Sequence, residues 1–323
     1  MAGFSVASND HLIRSNLWST QLKKVLEDDL IGTRYVRMIT ELPDGDTLNI
    51  PSIGQMESQD YVEGSAVQYT AMDTGNFTFT IDQYKQSGTY ITNKMKQDSF
   101  YMSELMASFV PAQARALAKA MEIKVLRTGT PAETGGQTTA DSNTINGGKH
   151  RFIGSGTSET FTLEDLAKVR YALEKANVPL TNLIGIIDSS VAYSLGTQTN
   201  VMNLLTPHPT WQRVVEQGAS TGTRFFASVE GFDLYISQNL YTNTASETID
   251  SVVSAAGVNN LFFSAAGDVI PFVGLIRQPP KVDSEYNKDL QRDEYVTTCR
   301  YGFKLFRPEN LCIVVTDTDQ VYA

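Results

Sequence analysis

The chain has 323 residues, of which 41% are hydrophobic and 10% aromatic, so it can bury a core and is not a disordered chain. It carries 26 Lys and Arg against 36 Asp and Glu, and this net charge of −10 argues against a dedicated nucleic-acid binder. No apolar run reaches the roughly 18 residues of a membrane helix, and the N-terminus has no secretory-signal pattern. We therefore expect a protein made in a reducing cytoplasm, with no membrane partner.

The charge is distributed unevenly along the chain. Residues 41–84 contain eight acidic side chains and no Lys or Arg, whereas residues 85–128 contain seven basic and three acidic side chains. The eight acids are Glu41, Asp44, Asp46, Glu57, Asp60, Glu63, Asp73 and Asp82. An acidic segment therefore precedes a basic one.

The first 84 residues predict an arm followed by a long β-ribbon. Residues 1–40 show no sustained core period apart from a short helical stretch at 18–30, which is typical of an extended arm. Residues 41–84 alternate polar and apolar side chains, with Gly and acidic turns between the strands. Because an isolated two-stranded ribbon is marginally stable in water, we expect this ribbon to lie on another surface.

A helix of about thirty residues is predicted next, with Asp98 or Ser99 as its N-cap. The stripe on its buried face is formed by Met102, Leu105, Met106, Phe109, Gln113, Leu117, Met121 and Val125. Pro111 predicts a bend, or a break near Val110, and the helix is expected to end before Gly129. Residues 129–160 contain seven glycines among Thr, Ser and Asn, which predicts an exposed, mobile loop.

The second half of the chain reads as a compact α+β domain followed by β-strands. Thr162 begins a capping box, and the stripe after it predicts a helix that closes before Pro179. A buried strand is predicted at 183–187. Short helices are then expected at 189–196 and 211–216, and strands at 224–229 and 232–237. The tail from Lys281 returns to a β pattern, with a turn at 307–310. The predicted fold class is α+β.

No motif predicts a catalytic residue, a cofactor site or a metal site. Residues 218–222 match G-x-S-x-G, but the helix and strand around Ser220 come in the wrong order for a nucleophile elbow, which favours an ordinary loop. Residues 143–150 lack the first Gly and the final Ser or Thr of a phosphate loop, and 317–319 lack the Gly and Glu of a calcium loop. Cys299 and Cys312 read as small core residues. A serine hydrolase using Ser220 is the alternative from another functional class.

The order of elements and two C-terminal segments resemble a known family. Residues 231–240 (GFDLYISQNL) resemble a GF-x-V-Y-x-S-N-N-L segment, and 277–281 (RQPPK) with 300–309 (RYGFKLFRPE) resemble a closing Y-G-x-K-V-x-R-P-E run. Both are typical of tailed-bacteriophage major capsid proteins with the Hong Kong 97-type capsid fold. The resemblance implies five segments: an N-terminal arm (1–40), an E-loop β-hairpin (41–84), a P-domain with a spine helix and Gly-rich loop (85–160), an A-domain (161–275) and C-terminal P-domain strands (276–323).

The resemblance implies a structural function. The chain is expected to form hexamers and pentamers of an icosahedral shell that encloses double-stranded DNA without sequence-specific binding. The implied location is the virion, after assembly in the host cytoplasm. The implied partners are other copies of the chain, a separate scaffolding protein, a portal protein and, optionally, a decoration protein. Because residues 41–84 contain no lysine, covalent crosslinking through an E-loop lysine is not expected.

In the family the E-loop lies over the P-domain of a neighbouring subunit. The acidic ribbon is therefore predicted to meet the basic helix segment across a subunit boundary. The candidate intersubunit contacts are Asp60, Glu63 and Asp73 on the ribbon and Arg115 and Lys119 on the helix. An encapsulin-type compartment shell, which shares the fold, and a tail or connector protein are the structural alternatives.

Overall fold

The computed structural model describes residues 30–40, 47–53, 58, 60, 63–64, 66, 74–98, 102–133, 143–197, 225–243, 245–250, 252–254 and 257–317. The predicted helices at 18–30 and 211–216 lie outside these residues apart from Leu30, and so does the pentapeptide that contains Ser220.

The described helices are α1 (Asn93–Asp98), α2 (Met102–Thr128), α3 (Leu163–Lys175) and α4 (Ser189–Thr197). The described strands are β1 (Val36–Met38), β2 (Thr47–Ile53), β3 (Thr74–Thr80), β4 (Gln83–Thr92), β5 (Thr144–Ile145), β6 (Gly148–Lys149), β7 (Arg151–Ile153), β8 (Leu183–Ile187), β9 (Phe225–Val229), β10 (Phe232–Ile236), β11 (Glu247–Ile249), β12 (Val252–Ser254), β13 (Gly257–Ser264), β14 (Phe272–Asn287), β15 (Arg292–Leu305) and β16 (Cys312–Asp317). Short 3-10 helices occur at Gly32–Tyr35, Thr157–Glu159, Gly267–Val269 and Pro308–Asn310.

Two sheets organise the described part of the chain. One has four strands in the order β1-β14-β15-β4, and the other has six in the order β7-β16-β13-β8-β10-β9. Strand β8 is buried along its whole length because the six-stranded sheet is covered on both faces. Its residues Leu183 and Ile187 pack with α3 and α4, whereas Ile184 and Ile186 pack with α2 and β15. The six-stranded sheet is therefore the middle layer of the core.

Helix α2 lies against the four-stranded sheet. Gln113 of α2 donates from Nε2 to the Tyr295 carbonyl (3.3 Å) and accepts from the Thr297 hydroxyl at Oε1 (2.8 Å). Both side chains are buried, so this polar pair is satisfied inside the packed layer. Strand β15 is thus hydrogen-bonded to β14 and β4 at its edges and to α2 through its buried face.

The local sequence signals at the ends of α2 and α3 have mixed outcomes. The capping box is confirmed, since Thr162 Oγ1 accepts from Asp165 N (3.3 Å) and Asp165 Oδ2 accepts from Thr162 N (3.0 Å). Helix α2 ends before Gly129, as predicted, but it is one helix through Pro111, so the break near Val110 is wrong. Asp98 does not cap the long helix either, because it is the last residue of the separate helix α1.

The prediction of an exposed loop at 129–160 is also wrong for most of its described part. Strands β5 and β6 form a hairpin at 144–149, and β7 joins the six-stranded sheet in parallel with β16. Gly148 packs on α3 so closely that a Cβ there would lie 2.9 Å from the Cα of Ala172. This glycine therefore serves close packing, which composition alone does not distinguish from flexibility.

Each of the two large sheets contains strands from more than one of the predicted segments. Val36 of β1, near the end of the predicted arm, pairs in parallel with Phe272 of β14. Strand β14 runs across the predicted boundary at residue 275, and β16, from the C-terminal segment, lies beside β13. The arm, the A-domain segment and the C-terminal segment are therefore interleaved in the two large sheets, whereas β2 and β3 form a two-stranded sheet of their own.

Candidate subunit interface

The predicted ribbon is confirmed in its two described strands. Strands β2 and β3 are antiparallel through seven pairs, from Thr47 opposite Thr80 to Ile53 opposite Thr74. The alternation places one apolar face on the ribbon, where Leu48 lies opposite Phe79 and Ile50 lies opposite Phe77. Phe79 is buried, whereas Thr47, Asn49, Thr78 and Thr80 are exposed. The ribbon thus has an apolar side toward its own subunit and a polar side toward solvent.

The base of the ribbon is packed on the four-stranded sheet. Phe79 and Ile81 form a buried cluster with Val273 and Leu275 of β14. On β15, a Cβ at Gly302 would lie 3.0 Å from the Thr80 carbonyl oxygen and 3.1 Å from the Cα of Ile81. Glycine at this position lets the ribbon backbone cross directly over β15.

Residues 304–306 also contact the ribbon, and residues 302–306 together are called the ribbon seat. The Lys304 ammonium donates to the Thr78 carbonyl oxygen (2.7 Å) and lies 5.2 Å from the centre of the Phe77 ring. The Phe306 ring meets Phe77 edge to face, with ring centres 4.9 Å apart. Residues 302–306 belong to the RYGFKLFRPE segment, so this sequence motif is a seat for the ribbon.

A buried lysine fixes the end of the ribbon to α2. Lys124 donates to Asp82 Oδ2 (2.9 Å) and to Glu133 Oε2 (2.6 Å). Burial alone would lower the pKa of Lys124, but the hydrogen bonds to Glu133 and Asp82 raise it above its ordinary value. Likewise, burial opposes the bonds from Gln83 and Lys124 that lower the pKa of Asp82. Part of the acidic and basic complementarity is therefore satisfied within one chain.

The structure locates four of the five predicted intersubunit residues. Asp60 and Glu63 are exposed, Lys119 is exposed on α2, and Arg115 is half-buried on the same helix. Asp73 lies outside the described residues. The contact between these acids and bases across a subunit boundary stays a prediction.

Exposed apolar side chains concentrate around the four-stranded sheet. Eight of the twelve large apolar side chains that are exposed in the described part of the chain lie on β1, β4, β14, the turn after β14, or α1. They are Met38, Tyr84, Tyr90, Met95, Ile276, Val282, Tyr286 and Leu290. A concentration of exposed apolar side chains on one part of a protein is typical of an interaction surface.

Sequence reasoning missed a buried carboxylate on α2. Glu122 is fully buried and accepts hydrogen bonds from the backbone N–H groups of Ile31 (2.8 Å), Gly32 (2.7 Å) and Thr33 (3.0 Å). Its partners are backbone groups 89 to 91 residues away, so no side-chain pattern could have indicated them.

The described ranges contain no candidate metal cluster and no candidate membrane-spanning helix. Within them, no group of three or more His, Cys, Asp or Glu side chains could hold a metal ion. No helix in the described part is long and apolar enough to cross a membrane.

A sequence model of the phage capsid protein family matches residues 76–314, which is most of the chain. The chain belongs to the phage capsid protein family. This capsid protein is therefore a structural component of the virion shell, and a hydrolase using Ser220 is not favoured. Comparison with curated protein sequences gives no match.

Solved structures of phage capsids have the same fold. The capsid of cyanophage Pam1 aligns with a TM-score of 0.69 at 15% identity, over 98% of this chain and 99% of that one. Mycobacterium phage Che8 gives 0.68 at 16% identity, over 94% and 97%. The capsid of cyanophage P-SCSP1u gives 0.66 at 16% identity, over 97% and 95%. The predicted Hong Kong 97-type capsid fold is confirmed.

Proposed function

We propose that this capsid protein assembles into hexamers and pentamers of an icosahedral shell around double-stranded DNA, and that its acidic ribbon lies over the neighbouring subunit. The observation that carries the proposal is the ribbon seat. Residues 302–306 fix the base of the ribbon, while the polar side chains of its strands remain exposed. A ribbon whose base is fixed in this way is suited to reach a second subunit.

The surface around the four-stranded sheet supports the same proposal. Its exposed tyrosines, methionines and aliphatic side chains would remain in water in an isolated subunit, and burying apolar area stabilises association by about 25 cal/mol per Å². The same sheet carries two ion pairs, Lys281 with Asp283 and Arg292 with Glu294. Charges of both signs beside apolar side chains are suited to set the register between subunits.

The proposed partners follow from the family. They are other copies of the chain, a separate scaffolding protein, a portal protein, packaged DNA held without sequence readout and, optionally, a decoration protein, with assembly in the host cytoplasm. The encapsulin-type shell differs in its cargo and the connector in its shape. The match to the phage capsid family model favours the phage shell over both.

Electron microscopy of the purified protein tests the proposal. We expect closed particles when the chain is expressed with its scaffolding protein, and DNA-filled particles after infection. Rings or tubes would instead indicate a connector, and closed shells that hold protein cargo but no DNA would indicate an encapsulin-type compartment.

Charge reversal tests the ribbon contact. Exposed ion pairs contribute only about 0 to 1 kcal/mol each and weaken with salt, so the effect must be read on whole particles with many copies. We expect Asp60→Lys with Glu63→Lys to lower particle stability at low ionic strength, and reversal of Arg115 or Lys119 to restore it. Glu174→Lys, an exposed reversal on α3, is the control. The contact is refuted if the ribbon reversals and the control behave alike.

A further inference from the structure

One turn of α2 carries two buried side chains of opposite charge. Glu122 holds residues 31–33, where the predicted arm joins the body of the subunit, and Lys124 holds Asp82 at the end of the ribbon. Two residues along an α-helix correspond to a rotation of about 200°, so the two side chains leave α2 in nearly opposite directions. Residues 31–33 and Asp82 are therefore attached to the same helical turn.

The attachment of the arm depends on the charge of Glu122. Its Oε1 accepts from the N–H groups of Ile31 and Gly32, and its Oε2 accepts from Thr33. Three successive N–H groups that converge on one carboxylate form an anion nest. Their hydrogen bonds replace those to the water that the carboxylate loses when it is buried. A Gln side chain has almost the same shape but presents an amide NH₂ where one of the two oxygens stood, and NH₂ cannot accept a hydrogen bond.

Packing fixes residues 31–33, which we call the arm root, at the same place on α2. A Cβ at Gly32 would lie 3.0 Å from Leu126 Cδ2, 3.2 Å from Leu126 Cγ and 3.3 Å from Glu122 Oε2. Leu126 is fully buried, so it has little room to move away. The backbone of residue 32 therefore lies directly on α2, and only glycine fits without displacing either neighbour.

We infer that Glu122 is a positioning residue for shell assembly: its carboxylate fixes residues 31–33, near the C-terminal end of the predicted arm, on the helical turn that also holds Asp82 at the end of the ribbon. The inference rests on the proposed function. A subunit in which one helical turn holds both residues 31–33 and Asp82 presents these two points to its neighbours in a single relative geometry. A subunit with a released arm root presents a range of geometries, and this lowers the fraction that can join a closed shell.

The substitution Glu122→Gln tests the inference, with Glu174→Gln, the same change at an exposed position of α3, as the matched control. In unassembled subunits, we expect amide hydrogen exchange of the peptide containing residues 31–33 to rise on the order of 10- to 100-fold in Glu122→Gln and to stay unchanged in the control. With scaffolding protein present, Glu122→Gln is expected to lose closed particles while its thermal unfolding remains cooperative.

Two results would overturn the inference. One is unchanged exchange at residues 31–33 in Glu122→Gln, and the other is wild-type particle yield despite faster exchange. If Glu122→Gln does not fold, Gly32→Ala supplies the same two measurements, because it pushes the arm root away from α2 and keeps the charge. Failure of the wild type to form shells would refute the proposed function and, with it, the assembly role of Glu122. Because hydrogen exchange is measured on unassembled subunits, it would still decide whether Glu122 anchors residues 31–33.

Discussion

The ribbon seat makes a sharp prediction at two glycines of neighbouring strands. Gly302 lies on β15 and Gly88 on β4, and both are in extended strands. A Cβ at Gly302 would lie 3.0 Å from the Thr80 carbonyl oxygen and 3.1 Å from the Cα of Ile81, which are backbone atoms. At Gly88 the nearest atom would be Val296 Cγ2 at 3.4 Å, an ordinary contact. The same methyl group is therefore crowded at one site and accommodated at the other.

The expected energies follow from these distances. Replacing a strand glycine by alanine without a clash stabilises the folded state by about 0.5 to 1 kcal/mol, so we expect Gly88→Ala to be neutral or stabilising. At Gly302 the same gain is offset by overpacking, which costs about 1 to 3 kcal/mol. The difference between these two ranges is a loss of about 0 to 2.5 kcal/mol in the free energy of unfolding for Gly302→Ala, with about 1 kcal/mol near the middle.

Urea unfolding of the unassembled subunit measures both variants. Gly302→Ala should lower the midpoint without changing the slope, and Gly88→Ala should leave the midpoint unchanged or raise it. The Gly302 variant should also give fewer closed particles, because its ribbon base is displaced. If the two variants have equal midpoints and equal particle yields, the ribbon is not seated on Gly302.

Three further predictions concern the seat, pH and the C-terminal turn. Lys304→Met removes the hydrogen bond to the Thr78 carbonyl and should cost about 0.5 to 1.5 kcal/mol in urea unfolding, with faster amide exchange in β3; unchanged exchange would contradict it. Burial lowers the pKa of His150, and the hydrogen bond to the Gly148 carbonyl only partly opposes this. As the pH falls, His150 therefore takes up a proton in the unfolded chain before it does so in the folded one. Stability should therefore fall as pH drops below the ordinary value of about 6.5, and thermal unfolding of His150→Gln should show a shallower loss between pH 7.5 and 5.5. Asn310→Ala should cost about 2 to 4 kcal/mol in urea unfolding, because its amide bonds the N–H and carbonyl of Ser264 and a further backbone carbonyl; a cost below about 0.5 kcal/mol would show that water replaces the amide.

Local sequence signals predicted the elements whose cause is local. The capping box at Thr162, the buried strand at 183–187 and the ribbon alternation each depend on residues a few positions apart, and the structure confirms all three. The strand at 151–153 was missed because it pairs in parallel with residues about 160 positions later. The glycine-rich sequence around residues 151–153 contains no pattern that indicates pairing with β16.

The sequence predicted the elements of the candidate interface, but it did not predict the buried ion pair and hydrogen bonds that hold them in place. Charge blocks and alternation indicated an acidic ribbon beside a basic helix. They could not show that Lys124 pairs with Asp82 inside the same chain, because a net charge does not specify which subunit supplies the partner. Glu122 was hidden for a different reason: its three donors are backbone groups, which every residue except proline carries.

The distance along the chain between the ribbon and its seat has a consequence for synthesis. Thr78 and Lys304 are 226 residues apart, so the ribbon leaves the ribosome long before residues 302–306 exist. Contacts of such high sequence separation form late in folding. A growing chain therefore cannot hold its ribbon in the geometry of the finished subunit until residues 302–306 have been made.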